Sequence, residues 1–140
     1  VRRMNVIRVK PGVQFDVIAP AGFRLLVALD TTARRLGVDL TITCGSDGHP
    51  PTDPHSTGEA YDVRTHDLTD DQKHAILREL LLELSDGTPE DAPLAVSDGL
   101  GTKGFWGWIE NPGLPTEHLH VQRRNRTVYP ALHTPTWVTT

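Results

Sequence analysis

The apolar residues of this 140-residue chain change period several times, and each change marks an element. Residues 6–9 and 13–18 are short β-prone runs split by Pro11-Gly12, which predicts a strand or an extended arm over 1–19. From Pro20 the period becomes helical. Phe23, Leu26, Val27, Asp30, Ala33 and Leu36 contain the i, i+3, i+4, i+7 spacing of an apolar face. Gly37 ends that helix, with Arg34 and Arg35 in the last turn, where cations suit the dipole. Residues 38–43 alternate and are rich in β-branched side chains, so they read as a strand. A second helix is expected from Asp70 to about Leu84. It opens on Thr69-Asp-Asp-Gln72, the form of a capping box, and gathers Ile76, Leu77, Leu80, Leu81 and Leu84 on one broad face.

Residues 45–54 are loop by composition, and 55–58 turn out of that loop. Residues 59–64 then alternate as a strand, with Ala60, Asp62 and Arg64 on one face and Glu59, Tyr61 and Val63 on the other. Further strands are expected at 94–97, 105–109 and 117–122. The last puts His118, His120 and Gln122 on one face and Leu119 and Val121 on the opposite one. Residues 98–104 read as a flexible turn and 125–140 as an irregular tail. Two helices and five or six strands, the last three consecutive, predict one α+β domain with a mainly antiparallel sheet flanked by the two helices.

Composition narrows the class. A chain that is 37% hydrophobic and 23% charged can bury a core without staples. Its net charge is −4, and Arg123, Arg124 and Arg126 form the only tight basic cluster, so no nucleic-acid partner is expected. Cys44 is the only cysteine, which excludes an internal disulfide and a thiolate-rich metal site; its default is a small buried hydrophobe. No signal-peptide pattern and no apolar stretch of membrane-spanning length is present. The expectation is a monomer made in the cytoplasm, with no membrane partner.

Two segments carry chemistry. One runs His55-Ser-Thr-Gly-Glu-Ala-Tyr-Asp62; the other is Glu117-His-Leu-His120. Zinc takes nitrogen and carboxylate ligands, and a catalytic zinc keeps three from the protein with one position open. His55, Asp62 and His120 supply such a set. Asp62 lies mid-strand, where an unpaired carboxylate is costly to bury and coordination removes the cost. Gly58 suits a tight turn bringing the His55 loop over the strand. His118 shares a face with His120, an arrangement that chelates well and also occurs on exposed strands. Glu117 faces away from both in a regular strand. To act with them it must sit at the strand's start, where Pro115-Thr116 lets the chain bend.

These residues resemble the zinc D-Ala-D-Ala peptidases of the hedgehog/DD-peptidase fold. Their signature is Ser-x-His-x-x-Gly-x-Ala-x-Asp followed by Glu-x-x-His. Here the chain reads Asp53-Pro-His55-Ser-Thr-Gly58-Glu-Ala60-Tyr-Asp62, then Glu117-His-Leu-His120, with Asp53 in place of the leading Ser. The similarity covers about 41–122. It implies a hedgehog/DD-peptidase-like fold and a zinc metallopeptidase, of DD-carboxypeptidase or L,D-endopeptidase type, acting on peptidoglycan stem peptides. Zinc would be bound by His55, Asp62 and His120, and Glu117 would be the general base. Related enzymes carry a His-x-His pair, which implies a substrate-polarising role for His118. Members often hold a substrate carboxylate with an Arg in the loop where Asp47 stands here, so anchoring must differ; His49, Arg64 and Lys103 are candidates. Trp106 and Trp108 share a strand face and either pack in the sheet or wall a substrate cleft. A small member without an export signal resembles a phage-type lytic enzyme that reaches the cell wall after release. The alternative is a structural or wall-binding module that keeps the fold and metal without turnover. The glycine run at 99–104 matches a dinucleotide fingerprint in letters only, because a strand follows it rather than a helix.

Overall fold

Pro20, whose fixed φ suits the first turn, opens helix α1 (Pro20–Leu36), and Gly37 closes it at φ 65° with its N–H on Ala33 O. In the computed structural model, which describes residues 7–85, 94–96 and 99–124, the face α1 buries is not the one its largest residues trace. Gly22, Leu25, Ala28, Leu29, Thr32 and Ala33 are buried. Phe23 and Val27, central to the expected stripe, are 64% and 51% exposed. The reason is close approach: a Cβ at Gly22 would overlap Gly58 O and lie 3.0 Å from the Tyr61 hydroxyl. The side of α1 with small residues is the side that can touch backbone.

Helix α2 (Asp70–Leu84) starts as expected. Thr69 Oγ1 accepts from Gln72 N at 3.2 Å, and Gln72 Oε1 accepts from Thr69 N at 2.9 Å. Its buried side chains are Ile76, Leu77, Leu80, Leu81 and Leu84.

Among the described residues, seven strands form one mixed sheet: β1 (Ile7–Val9), β2 (Leu40–Cys44), β3 (Ala60–Arg64), β4 (Leu94–Val96), β5 (Gly99–Gly101), β6 (Phe105–Glu110) and β7 (His118–Arg123). Their order is β1-β2-β3-β7-β6-β5-β4. Only β1 and β2 run parallel; the other neighbours are antiparallel. The fold class is therefore α+β. Part of the expected arm is an edge strand, β1, while Val13 and Phe15 pack on the core without forming a strand. The expected flexible turn contains β5, paired with Trp106–Trp108 through Gly99, Leu100 and Gly101. The tail at 125–140 and the loop at 86–93 lie outside the described residues, as do Ser97 and Asp98.

Both helices cover one face of the sheet. Leu25 and Leu29 of α1, with Ile76, Leu77 and Leu80 of α2, share a core with Leu40, Ile42, Tyr61, Val63, Leu119 and Val121 of the strands. Strand alternation sends the intervening side chains to the other face. At Gly107 of β6 an added Cβ would lie 2.9 Å from Leu77 Cδ1, so the missing side chain is what seats α2 there. A bulge shapes β2. Ile42 pairs with Val63, but Cys44 rather than Thr43 pairs with Asp62. The extra residue turns Cys44 onto the face opposite the helices, next to Asp62.

Candidate metal centre

Strand register lays two rows across the helix-free face. Cys44, Asp62, His120 and Trp108 are neighbours on β2, β3, β7 and β6. One step along the strands, Arg64, His118 and Glu110 form a second row. His55 reaches the first row from the loop between β2 and β3, and several bonds fix it. Its N–H donates to Asp53 Oδ1 at 2.8 Å, and its carbonyl accepts from Gly58 N at 3.1 Å. Gly58 has φ 74°, and an added Cβ would overlap Val17 O and lie 2.9 Å from Ala19 N. Gly58→Ala is therefore expected to destabilise by at least about 2 kcal/mol, from left-handed strain plus backbone overlap. Thermal melts should show a Tm fall of roughly 6 °C or more; an unchanged Tm would mean that this crossing is loose.

Asp47 also serves the loop. Its Oδ1 accepts from Gly45 N and Gln14 N, both at 3.1 Å. Burial alone would raise its pKa, but these backbone N–H bonds prevail and lower it. It brackets the loop to the segment before α1, so the position that holds Arg in the resembled family is structural here.

The imidazole tautomers follow from their outer partners. His55 Nδ1 donates to Gly45 O at 3.1 Å, which leaves Nε2 facing inward with a lone pair. His120 Nε2 donates to Gln122 Oε1 at 2.8 Å, and the Gln122 amide nitrogen donates to Arg123 O at 3.1 Å. The neutral ring in that tautomer turns the Nδ1 lone pair of His120 inward. His55 Nε2 lies 3.3 Å from His120 Nδ1 and 3.2 Å from Asp62 Oδ1, and His120 Nδ1 lies 3.0 Å from Asp62 Oδ1. Tetrahedral zinc with bonds of about 2.0–2.1 Å sets its ligand atoms roughly 3.3–3.4 Å apart. The observed triangle is nearly that size. His55 and His120 are buried at 2% and 7% exposure, so two imidazole nitrogens and a carboxylate oxygen converge away from water. A cation answers that arrangement. Burial pushes the Asp62 carboxyl up, but its bonds to His120 and His55 outweigh burial and hold it well below the usual range. For His55, burial lowers the pKa and Asp62 raises it more.

A wider set borders the triangle. Ligand atoms of Cys44, His49, His55 and Asp62 all lie within 4.8 Å of one another and could hold a metal ion. His49 stacks on the His55 ring, centroids 4.2 Å apart, and its Nε2 lies 3.1 Å from Cys44 Sγ. Burial first, then Asp62, pushes the Cys44 thiol up to about 12. The group of His55, Asp62 and His120 is the tighter one, with its atoms 3.0–3.3 Å apart, and Cys44 is neither fully buried nor a plain core residue.

His118 stands beside this group. Its Nδ1 donates to Thr116 O at 2.8 Å, and its Nε2 lies 2.8 Å from Glu110 Oε2 and 3.6 Å from Asp62 Oδ1. With acceptors at both nitrogens the ring is held as imidazolium; Glu110 raises its pKa to about 9. Glu110 lies one residue beyond the strand that the sequence pattern predicts over 105–109. Extending the Trp106–Trp108 alternation by one step would have placed it opposite His118.

Glu117 is not brought to the group. It is 4% exposed and accepts from Lys73 Nζ at 2.8 Å, Thr65 Oγ1 at 3.0 Å and Gly113 N at 3.1 Å. Lys73 belongs to α2, on the helix side of the sheet. The chain does not bend enough at 115–116 to overcome strand alternation, so Glu117 faces away from His118 and His120. Trp106 is 1% exposed and packs within the sheet, which removes it as a substrate wall. Trp108 is half-buried, tilts over His120 with centroids 4.6 Å apart, and donates Nε1–H to Glu110 Oε1 at 3.0 Å.

Comparison with protein-family models, with curated proteins and with solved structures returned no match for this chain. Among the described residues, no helix is long and apolar enough to cross a membrane.

Proposed function

We propose that this chain is a zinc-dependent peptidase that hydrolyses peptidoglycan stem peptides, in the manner of the hedgehog/DD-peptidase-like enzymes its motifs resemble. The observation that carries the reading is the convergence of His55 Nε2, Asp62 Oδ1 and His120 Nδ1 within 3.0–3.3 Å. Zinc held there supplies Lewis acidity and lowers the pKa of a water molecule towards neutrality. Gly45 O and Gln122 Oε1 keep the two imidazoles in the ligating tautomer. In this reading cationic His118 stabilises the negative charge that develops on a scissile carbonyl, and Glu110 holds the ring in position. His118, held as imidazolium by Glu110 Oε2 at 2.8 Å, can give its Nε2 proton to the leaving amine, and the proton that the attacking water gives up would return the pair to its starting state. Proton transfer is thus assigned to His118 and Glu110, not to Glu117. Trp108 shields one side of His120 from water.

The test is zinc-loaded protein with purified cell wall and synthetic stem peptides, read as new amino termini. Glu110→Gln is expected to keep one zinc and lose about 10²–10⁴-fold in kcat, the range of a proton-transfer group. No new termini from the zinc-loaded parent would leave only a wall-binding or structural module. The positions of Cys44 and His49 favour one other reading, a closed site in which the thiol completes the shell and water has no place. Cobalt substitution separates them. An open site gives no sulfur-to-cobalt charge-transfer band and an unchanged spectrum in Cys44→Ser; a closed one gives the band and loses it in that variant.

A further inference from the structure

On its β2 side the metal centre carries two further ligand-type side chains, Cys44 and His49, which the proposed hydrolysis does not use. Cys44 Sγ and His49 Nε2 lie 3.1 Å apart, and ligand atoms of this pair, His55 and Asp62 are all within 4.8 Å of one another. One ion cannot serve all of them. An imidazole binds a cation along its nitrogen lone pair, which lies in the plane of the ring. The His55 and His120 rings stand at 68° to each other, so their planes cross and one ion can lie in both. The His49 and His55 rings are stacked, 8° apart in tilt with centroids at 4.2 Å, so their planes run side by side and each ring faces a different point. Loop bonds hold that stack: the His55 N–H donates to Asp53 Oδ1 at 2.8 Å, and Ser56 Oγ donates to His49 O at 3.0 Å. His49 Nδ1 faces Asp53 Oδ2 at 3.7 Å, which leaves Nε2 to the thiol.

We propose that Cys44, His49 and the Asp62 carboxylate form a second cation position beside the first, filled when a thiophilic divalent metal is in excess. The first ion, taken from the peptidase reading, keeps His55, Asp62 and His120, and Asp62 bridges the two ions with its two oxygens. The second position rests on that reading for its neighbour and on no step of catalysis. Tetrahedral zinc sets a thiolate sulfur and an imidazole nitrogen roughly 3.6 Å apart, so the pair at 3.1 Å must open by about 0.5 Å. Paired metal ions stand about 3.5–4 Å apart, close to the 4.2 Å spacing of the two stacked rings. Sulfur and imidazole select zinc, cobalt or cadmium over magnesium and calcium, and the bound ion displaces the thiol proton. The second ion is the weaker of the two. The His49 side chain is 26% exposed where that of His55 is 3%, and two cations sharing one carboxylate repel each other. Protein purified without added metal therefore carries the first ion alone.

Cobalt(II) titrated into the metal-free protein tests this, with equilibrium dialysis for the count and absorption for the ligands. Two ions per chain are expected. The first brings no sulfur-to-cobalt charge-transfer band, and the band grows in with the second. Cys44→Ser and His49→Ala should each weaken the second ion more than about tenfold and leave the first in place. Cadmium NMR of the parent protein gives the same count without any variant: two resonances, one of them shifted downfield by sulfur. A large excess of magnesium should displace neither ion. A band complete at one ion per chain puts the thiol in a single closed centre and overturns the second position. So does a count of one with no band, or a His49→Ala protein that still takes up two ions with parental affinity. Uptake is read without turnover, so a chain that binds both ions as expected and cuts nothing overturns the peptidase reading alone.

Discussion

His55→Ala is expected to lose stoichiometric zinc, with affinity reduced by more than about 100-fold. Even partners that only orient a ligand typically cost 10–100-fold, and His55 is one of three ligands. Its removal leaves Asp62 and His120 3.0 Å apart, two protein atoms where a stable centre needs three. Gln122→Leu provides the graded control. It removes the acceptor that holds His120 Nε2–H, so a loss of about 10–100-fold is expected with the three ligands intact. Elemental analysis and competition with a metal chelator measure both. Acid has a defined sign here. Binding requires neutral His55, whose pKa burial lowers and Asp62 raises more, so affinity declines as pH falls through that raised value. One zinc per chain in purified His55→Ala would put the metal elsewhere and end the case for this centre.

Much of the site is legible because strands alternate. Asp62 between Tyr61 and Val63, and His118 and His120 around Leu119, sort themselves between core and open face by period alone, and the register then joins them. The position of Cys44 is not legible, since the bulge at Thr43 depends on how two strands meet. Helix α1 fits two apolar stripes equally well by spacing; Gly22 lying against Gly58 O selects the one with small residues. Glu110 is not legible because the apolar pattern stops at Ile109, one residue before the strand does. The Glu-x-x-His spacing meets a different constraint. Three residues is an odd step on a strand, so Glu117 and His120 belong on opposite faces unless the chain breaks pattern. The structure keeps the pattern, and His118 is the residue of that segment that stands beside Asp62, at 3.6 Å.

Glu117→Ala is consequently expected to be a stability variant that still binds zinc. The carboxylate is buried and accepts three hydrogen bonds, from Lys73, Thr65 and Gly113. Removing one partner of a buried ion pair typically costs 3–5 kcal/mol, since the other charge is left stranded. Lys73 keeps a contact to exposed Asp70 at 3.4 Å, which moderates the loss to about 2–3 kcal/mol. For a chain of this size the Tm should fall by roughly 6–12 °C. The pH dependence follows from both partners. Burial raises the Glu117 pKa, but Lys73 and the other donors outweigh it and lower the value. That contribution is present above the ordinary carboxylate pKa of about 4.3 and is lost as pH falls through the lowered one. Lys73 is raised, chiefly by Glu117, so its contribution is full below about 10.4 and is lost as pH rises through the raised value. The Tm gap between parent and variant should therefore be level across the neutral range and shrink at both extremes. A variant with parental Tm, parental zinc and no turnover would put Glu117 at the metal as the base the resemblance implies, and would remove that role from His118 and Glu110.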